Sequence, residues 1–183
     1  MTIRTLAAAA AAFALTLSAP AFAELPTGAR APDFAAPGAL AGKPFSFKLH
    51  QALKKGPVVL YFYPKAFTQG CTLEAHAFAE ATAQFKAAGA TVIGMSNDDV
   101  ATLQKFSTEA CRDKFAVASA SPDLIKAYDV DLRKPDGSST GLTKRTSYVI
   151  AKNGKIVMVH SDMDYRDHVK MTLAAVRKLK KSV

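Results

Sequence analysis

The spacing of apolar residues changes several times along this chain, and each change marks an element. After Pro57, the run Val58-Val59-Leu60-Tyr61-Phe62-Tyr63 is continuously apolar, β-branched or aromatic, which predicts a strand buried on both faces. From Thr72 to Ala88 the spacing becomes helical, with Leu73, Ala77, Ala81 and Phe85 on one expected face and Gly89 as a C-terminal stop. A second apolar strand is expected over Thr91 to Met95. A helix follows from about Asp98, with Val100, Leu103 and Phe106 facing inward, and runs toward Cys111. Strands alternating with helices in this way imply parallel βαβ units.

The remainder is more punctuated. Phe115 to Ala118 reads as a short strand, and Ser121-Pro122-Asp123 opens a short helix through Tyr128. Asp131 to Thr143 is polar, contains Pro135, Gly137 and Gly141, and reads as a surface loop. Two strand-like runs, Ser147 to Ala151 and Lys155 to His160, flank Asn153-Gly154. That dipeptide suits the positive φ angles of a tight turn, so a β-hairpin is expected. Val169, Leu173 and Val176 then line one face of a terminal helix, while the short lead before Pro57 contains Pro26, Pro32, Pro37 and Pro44. A βαβ half followed by a hairpin and a helix is an α/β, thioredoxin-like arrangement, with a central mixed β-sheet flanked by helices on both faces. Its expected active position is the helix start after the first buried strand.

The first residues bear on compartment. Arg4 precedes an apolar block from Leu6 to Leu17 that ends in Ala21-Phe22-Ala23, the pattern of a secretory signal peptide cleaved after Ala23. Residues 1–23 are thus expected to be the signal peptide and 24–183 a single domain, exported to the periplasm of a Gram-negative host. The apolar block is shorter than the roughly 20 residues of a membrane span, so no stable membrane insertion is expected. The net charge of +9 falls by one with the leader, which carries Arg4 and no acidic residue. The basic residues are scattered and lack interleaved aromatics, which argues against nucleic-acid binding. Lys178, Lys180 and Lys181 fit a helix C-terminus, where cations complement the dipole.

Candidate chemistry centres on Pro64-Lys65-Ala66-Phe67-Thr68-Gln69-Gly70-Cys71-Thr72-Leu73-Glu74. The run places one of two cysteines at a strand-to-helix turn. Unpaired N–H groups and the positive end of the helix dipole there favour thiolate over thiol. In an oxidising compartment two cysteines equally suggest a structural disulfide. His76 and His160 invite a metal reading with the thiols, but no ligand pair has familiar zinc spacing. Glu74 is suited either to the site or to the helix N-terminal turn through its charge.

With Pro64, Thr68 and Cys71 in this order, Tyr61-Phe62-Tyr63 before them, Glu74 after, and Arg145 just ahead of the Thr146 to Ile150 strand, the chain resembles the peroxiredoxins of the AhpC/TSA superfamily. The similarity is to the bacterioferritin comigratory protein, or peroxiredoxin Q, type. It extends from Gly28-Ala29-Arg30-Ala31-Pro32-Asp33-Phe34 to the terminal helix. The resemblance implies a thiol-dependent peroxidase acting on hydrogen peroxide and small organic hydroperoxides, with no bound cofactor. It implies Cys71 as the peroxidatic thiol, Thr68 as a hydrogen-bond partner of thiolate and peroxide, Arg145 as their cationic stabiliser, and Pro64 as a shield against water. Amides near Gly70 and Cys71 would cradle developing negative charge.

The product would be a sulfenic acid on Cys71, which must be resolved or overoxidises. One family location for a resolving cysteine, five residues after the peroxidatic one, holds His76 here. That leaves Cys111, or no internal resolver. A Cys71–Cys111 bond needs Cα atoms within about 7 Å and so implies unwinding of one or both helix ends. A thioredoxin-like or other dithiol reductant would regenerate the enzyme, as a monomer or weak dimer. The alternatives are a disulfide-exchange protein, although a closely spaced cysteine pair is missing, and a copper-binding protein on the same fold using Cys71, Cys111 and a histidine.

Overall fold

The computed structural model describes residues 24–181; the leader expected over residues 1–23 lies outside them. The elements are β1 (Ala35–Leu40), β2 (Lys43–Lys48), α1 (Leu49–Lys55), β3 (Val58–Phe62), α2 (Gln69–Ala87), β4 (Thr91–Ser96) and α3 (Val100–Glu109). They continue with β5 (Ala116–Ser119), α4 (Pro122–Ala127), β6 (Asp131–Arg133), β7 (Ser139–Thr143), β8 (Thr146–Ile150), β9 (Ile156–Ser161) and α5 (His168–Lys181). Seven strands form one mixed sheet in the order β2-β1-β5-β4-β3-β8-β9. Within it β3, β4 and β5 run parallel, and the remaining pairings are antiparallel.

Alternation along β3 divides the core between the two faces of this sheet. Val59, Tyr61 and the following Tyr63 join Phe78 and Phe85 of α2, Phe106 of α3 and Val176 of α5. Val58, Leu60 and Phe62 join Leu49 and Leu53 of α1 and Leu124 and Ile125 of α4. Successive side chains of a strand point to opposite faces, so two-sided coverage requires an unbroken apolar run. Each large side chain buried this way contributes roughly 1.5–3 kcal/mol. Tyr61 stacks on Phe78 with ring centroids 4.3 Å apart. Gly94, opposite Tyr61 in β4, makes room for the ring, since an added Cβ would come within 2.8 Å of it.

Helix starts follow their sequence signals. Asp99 caps α3 by accepting from the Thr102 amide, and Ser121 caps α4 by accepting from the Leu124 amide ahead of Pro122. Two expectations are corrected, and the lead, given no element from its sequence, acquires several. The proline-containing lead forms the β1–β2 hairpin and α1. Its turn is Ala41-Gly42, both at positive φ, so the hairpin has no Asn-Gly cue. The polar segment 131–143 is largely a two-stranded antiparallel sheet, β6–β7, whose mostly exposed residues lack apolar alternation. In α2 the buried residues are Cys71, Glu74, Ala75, Phe78, Ala79, Ala81, Thr82 and Phe85, so Ala81 and Phe85 face inward as expected while Leu73 is 41% exposed. The departure lies at the start of the helix, where Glu74 rather than Leu73 occupies a core position.

The chain leaves the C-terminal end of β3, crosses residues 63–68 and enters α2. Open α/β sheets place their reactive groups at this end of the parallel strands.

Candidate active site

The loop between β3 and α2 is held from several sides. Tyr63 N donates to Met95 O at 2.9 Å, and Thr143 Oγ1 donates to Tyr63 O at 2.7 Å. The Ala66 amide donates to Asp98 Oδ2 at 2.7 Å, and Ser96 Oγ donates to the same oxygen at 2.7 Å. Phe67 takes a φ of 64°, uncommon for a residue with a side chain, and its ring packs edge-on against Phe106 at 5.2 Å. These anchors hold a strained loop whose last residue, Thr68, is the N-cap position of α2.

Thr68 does not cap the helix with its side chain. Its Oγ1 donates to Lys65 O at 3.0 Å, while its carbonyl accepts from Thr72 N at 2.9 Å. Its hydroxyl therefore leaves the amides of Gly70 and Cys71 to their place at the positive end of the helix. Cys71 is buried, with Arg145 Nη2 3.4 Å from its Sγ. Gly70 lets the guanidinium approach this closely: an added Cβ would stand 3.3 Å from Nη2. Pro64 is half-buried at the start of the loop.

Arg145, immediately before β8, is 4% exposed and fully committed. Nη2 reaches Cys71, Nη1 pairs with Glu74 Oε2, and Nε donates to Met163 O at 3.0 Å. Burial works against its charge, Glu74 and Cys71 favour it, and the balance lifts it above its ordinary value. Glu74 is completely buried, and burial pushes its carboxyl up to about 8 while Arg145 pulls the other way. Glu74 lies beyond the first turn of α2, and its carboxyl pairs with Arg145 rather than with the helix terminus.

Cys111 lies in the turn after α3, also buried, and both cysteines are free. Burial raises its thiol well above the ordinary value, and Asp113 adds to the effect. Arg112 and Asp113, directly after it, adopt φ of 50° and 59°, a strained pair. His76 is half-buried on α2, and the ring of His160 lies 4.5 Å from that of His168. Among the described residues no group of three or more His, Cys, Asp or Glu is arranged to hold a metal.

Thus Cys71, Glu74 and Arg145 are brought together, Thr68 and Pro64 border them, and Cys111 is buried in the turn after α3, within the same core cluster as Cys71. Residues 27–159 match the AhpC/TSA family. The chain belongs to that family. Relatives include the chloroplastic peroxiredoxin Q of Arabidopsis thaliana, 35% identical over 141 residues, covering 77% of this chain and 62% of that protein. Peroxiredoxin Bcp of Bacillus subtilis (strain 168) is 31% identical over 121 residues, covering 66% of this chain and 77% of that protein. The crystal structure of peroxidoxin BcpB from Mycobacterium tuberculosis superposes with a TM-score of 0.73 at 32% identity, covering 84% of this chain and 97% of that chain. A Xanthomonas campestris bacterioferritin comigratory protein, studied for alkyl peroxide reduction in trapped intermediate and ligand complexes, gives a TM-score of 0.67 at 28% identity. It covers 79% of this chain and 91% of that chain. The chain spans only 57% to 62% of the length of the Arabidopsis and rice relatives.

Within this AhpC/TSA site, Asp98, Thr143, Ser147 and His168 escape sequence reasoning. Each acts on a partner brought near by folding: Ser147 Oγ and His168 Nδ1 are 2.8 Å apart across β8 and α5. No local spacing announces such a pair.

Proposed function

We propose that this chain is a thiol-dependent peroxidase with Cys71 as its nucleophile. The observation that carries the reading is a buried cysteine at a helix N-terminus with a buried guanidinium 3.4 Å from its sulfur. Thiolate attack on one peroxide oxygen forms an S–O bond and breaks the O–O bond. The second oxygen leaves as alkoxide or hydroxide, takes a proton and departs as alcohol or water. Arg145 and the amides of Gly70 and Cys71 stabilise the negative charge that moves between sulfur and oxygen. Thr68 steadies the peroxide once its hydroxyl turns from Lys65 O, and Pro64 keeps water from the sulfur. Hydrogen peroxide and small organic hydroperoxides are the substrates; the alkyl peroxide reduction studied in the Xanthomonas relative supports the second class.

The sulfenic acid on Cys71 is then attacked by Cys111, releasing water and forming an intramolecular disulfide that a thioredoxin-like dithiol reduces. Cys111 is a poor nucleophile while buried, so the turn after α3 must open first. The strained residues Arg112 and Asp113 make that turn a suitable place to open. The domain over 24–183 acts after export to the periplasm and removal of residues 1–23, as a monomer or weak dimer.

The test is peroxide consumption by the mature protein with dithiothreitol. Wild type turns over and Cys71→Ser does not; full turnover by Cys71→Ser overturns the reading. After one equivalent of peroxide, intact mass should fall by two hydrogens, whereas gain of one oxygen alone rejects the Cys111 step. Periplasmic protein beginning at Glu24 supports export, and retention of residues 1–23 contradicts it.

A further inference from the structure

Behind the Cys71 and Arg145 contact lies a buried polar chain that the peroxide chemistry leaves unused. Glu74 places Oε2 on Arg145 Nη1, but its other oxygen, Oε1, has no hydrogen-bond partner although it is buried. His168 Nδ1 stands 3.8 Å from that oxygen. His168 is itself completely buried at the start of α5, with Nε2 3.0 Å from Asp162 O. A carbonyl only accepts, so Nε2 carries the hydrogen and Nδ1 of the neutral ring is an acceptor. Ser147 Oγ, 2.8 Å from Nδ1, then donates to it. An ionised Glu74 would thus turn a bare oxygen toward a ring nitrogen with no proton between them. A proton on Oε1 can donate to Nδ1 once the carboxyl closes in from 3.8 Å and Ser147 Oγ gives up that nitrogen's single lone pair.

We propose that Glu74 and His168 share one proton and that its uptake frees the Arg145 charge for Cys71, which makes His168 a positioning residue for thiolate formation. The S–H bond of Cys71 breaks and its proton leaves to solvent, while Glu74 Oε1 takes up a proton from solvent. The number of bound protons does not change. Thiol, guanidinium and carboxylate are together neutral, and so are thiolate, guanidinium and carboxylic acid. Holding both anions at once would set two buried negative charges against one cation, which is the costly arrangement.

The other titratable groups near the pair are Tyr61 from β3, His160 from β9, and Asp162 and Asp164 after β9. Burial, the neighbouring His160 ring and Arg145 all oppose a second proton on His168, holding it down at about 4. Glu74, pushed up to about 8 by burial, is the partner that takes the proton near neutrality.

The inference rests on Cys71 being the reacting thiol, but its test does not need turnover. The rate of Cys71 alkylation by iodoacetamide is followed against pH by intact mass, in a Cys111→Ser background so that one thiol reports. His168→Leu removes the acceptor for the Glu74 proton and moves the midpoint up by about one pH unit, a tenfold loss of thiolate below it. Ser147→Ala removes the competing donor to Nδ1 and moves the midpoint down. Glu74→Gln mimics the protonated carboxyl and also moves it down, and in that background His168→Leu shifts it no further. A role limited to packing moves none of these in opposite directions. The proposal is overturned if His168→Leu lowers the midpoint or leaves it unchanged, or if its shift persists in Glu74→Gln. Should His168→Leu not fold, an upward or absent shift in Ser147→Ala overturns it. Failure of the peroxidase reading is seen separately, as turnover by Cys71→Ser.

Discussion

Removing the carboxylate of Glu74 should abolish a specific dependence of stability on alkaline pH. Its ordinary value of 4.5 in the unfolded chain becomes about 8 in the folded protein because burial penalises the charged form more than Arg145 favours it. Between these limits the folded state binds a proton that the unfolded state has released, so stability falls as pH rises through the window. His168 acts in the opposite sense. Burial lowers it from 6.5 to about 4, so the unfolded chain binds the extra proton there and stability rises with pH across that range. The two offset each other between about pH 4.5 and pH 6.5, and above pH 6.5 the His168 contribution fades and Glu74 dominates. At about 1.4 kcal/mol per pH unit, with Glu74 half-titrated at pH 8 and the unfolded His168 half-protonated at pH 6.5, the loss from pH 6.5 to pH 8 is about 1.3 kcal/mol. The assay is urea unfolding at pH 6.5 and 8 in a Cys71→Ser background, which keeps thiolate formation out of the comparison. The same measurement on Cys71→Ser with Glu74→Gln should show less than a third of the decline. Equal declines in the two proteins, or stability rising over this interval without the substitution, would refute the reasoning.

Two further outcomes are expected. Arg145→Lys keeps one positive charge but cannot reach Cys71, Glu74 and Met163 O together, so kcat/KM for peroxide should fall by about 100- to 1000-fold. A steady-state loss below tenfold would show that the forked geometry is dispensable. Asp98→Ala strands the Ala66 amide and the Ser96 hydroxyl, which should cost about 1–3 kcal/mol in urea unfolding at pH 7. No measurable change there would remove Asp98 as an anchor of the loop.

Much of the architecture is legible in local pattern because local physics sets it. A strand covered on both sides must be apolar at every position, and residues 58–62 are. Ser121 before Pro122 marks a helix start that needs only neighbouring backbone. The β1–β2 hairpin is hidden because its turn uses Ala41 at positive φ, a conformation alanine does not advertise. The inward face of α2 is read correctly at Ala81 and Phe85 but misjudged near its start, where hydrophobicity points to Leu73, whereas pairing with Arg145 draws Glu74 inside.

The same division applies to the site. The sequence by itself determined that Cys71 opens a helix after a buried strand, that Gly70 precedes it, and that Arg145 leads into a later strand. Tertiary structure decided that Arg145 divides its guanidinium between Cys71 and Glu74, that Asp98 and Thr143 hold the loop, and that Ser147 and His168 stand behind Glu74. Local spacing can place a thiol at a helix terminus, since the dipole and free amides belong to that helix alone. Proton affinity in a buried cluster depends on water being excluded and on charges from different elements meeting within a few ångströms, and only the packed sheet and helices bring that about.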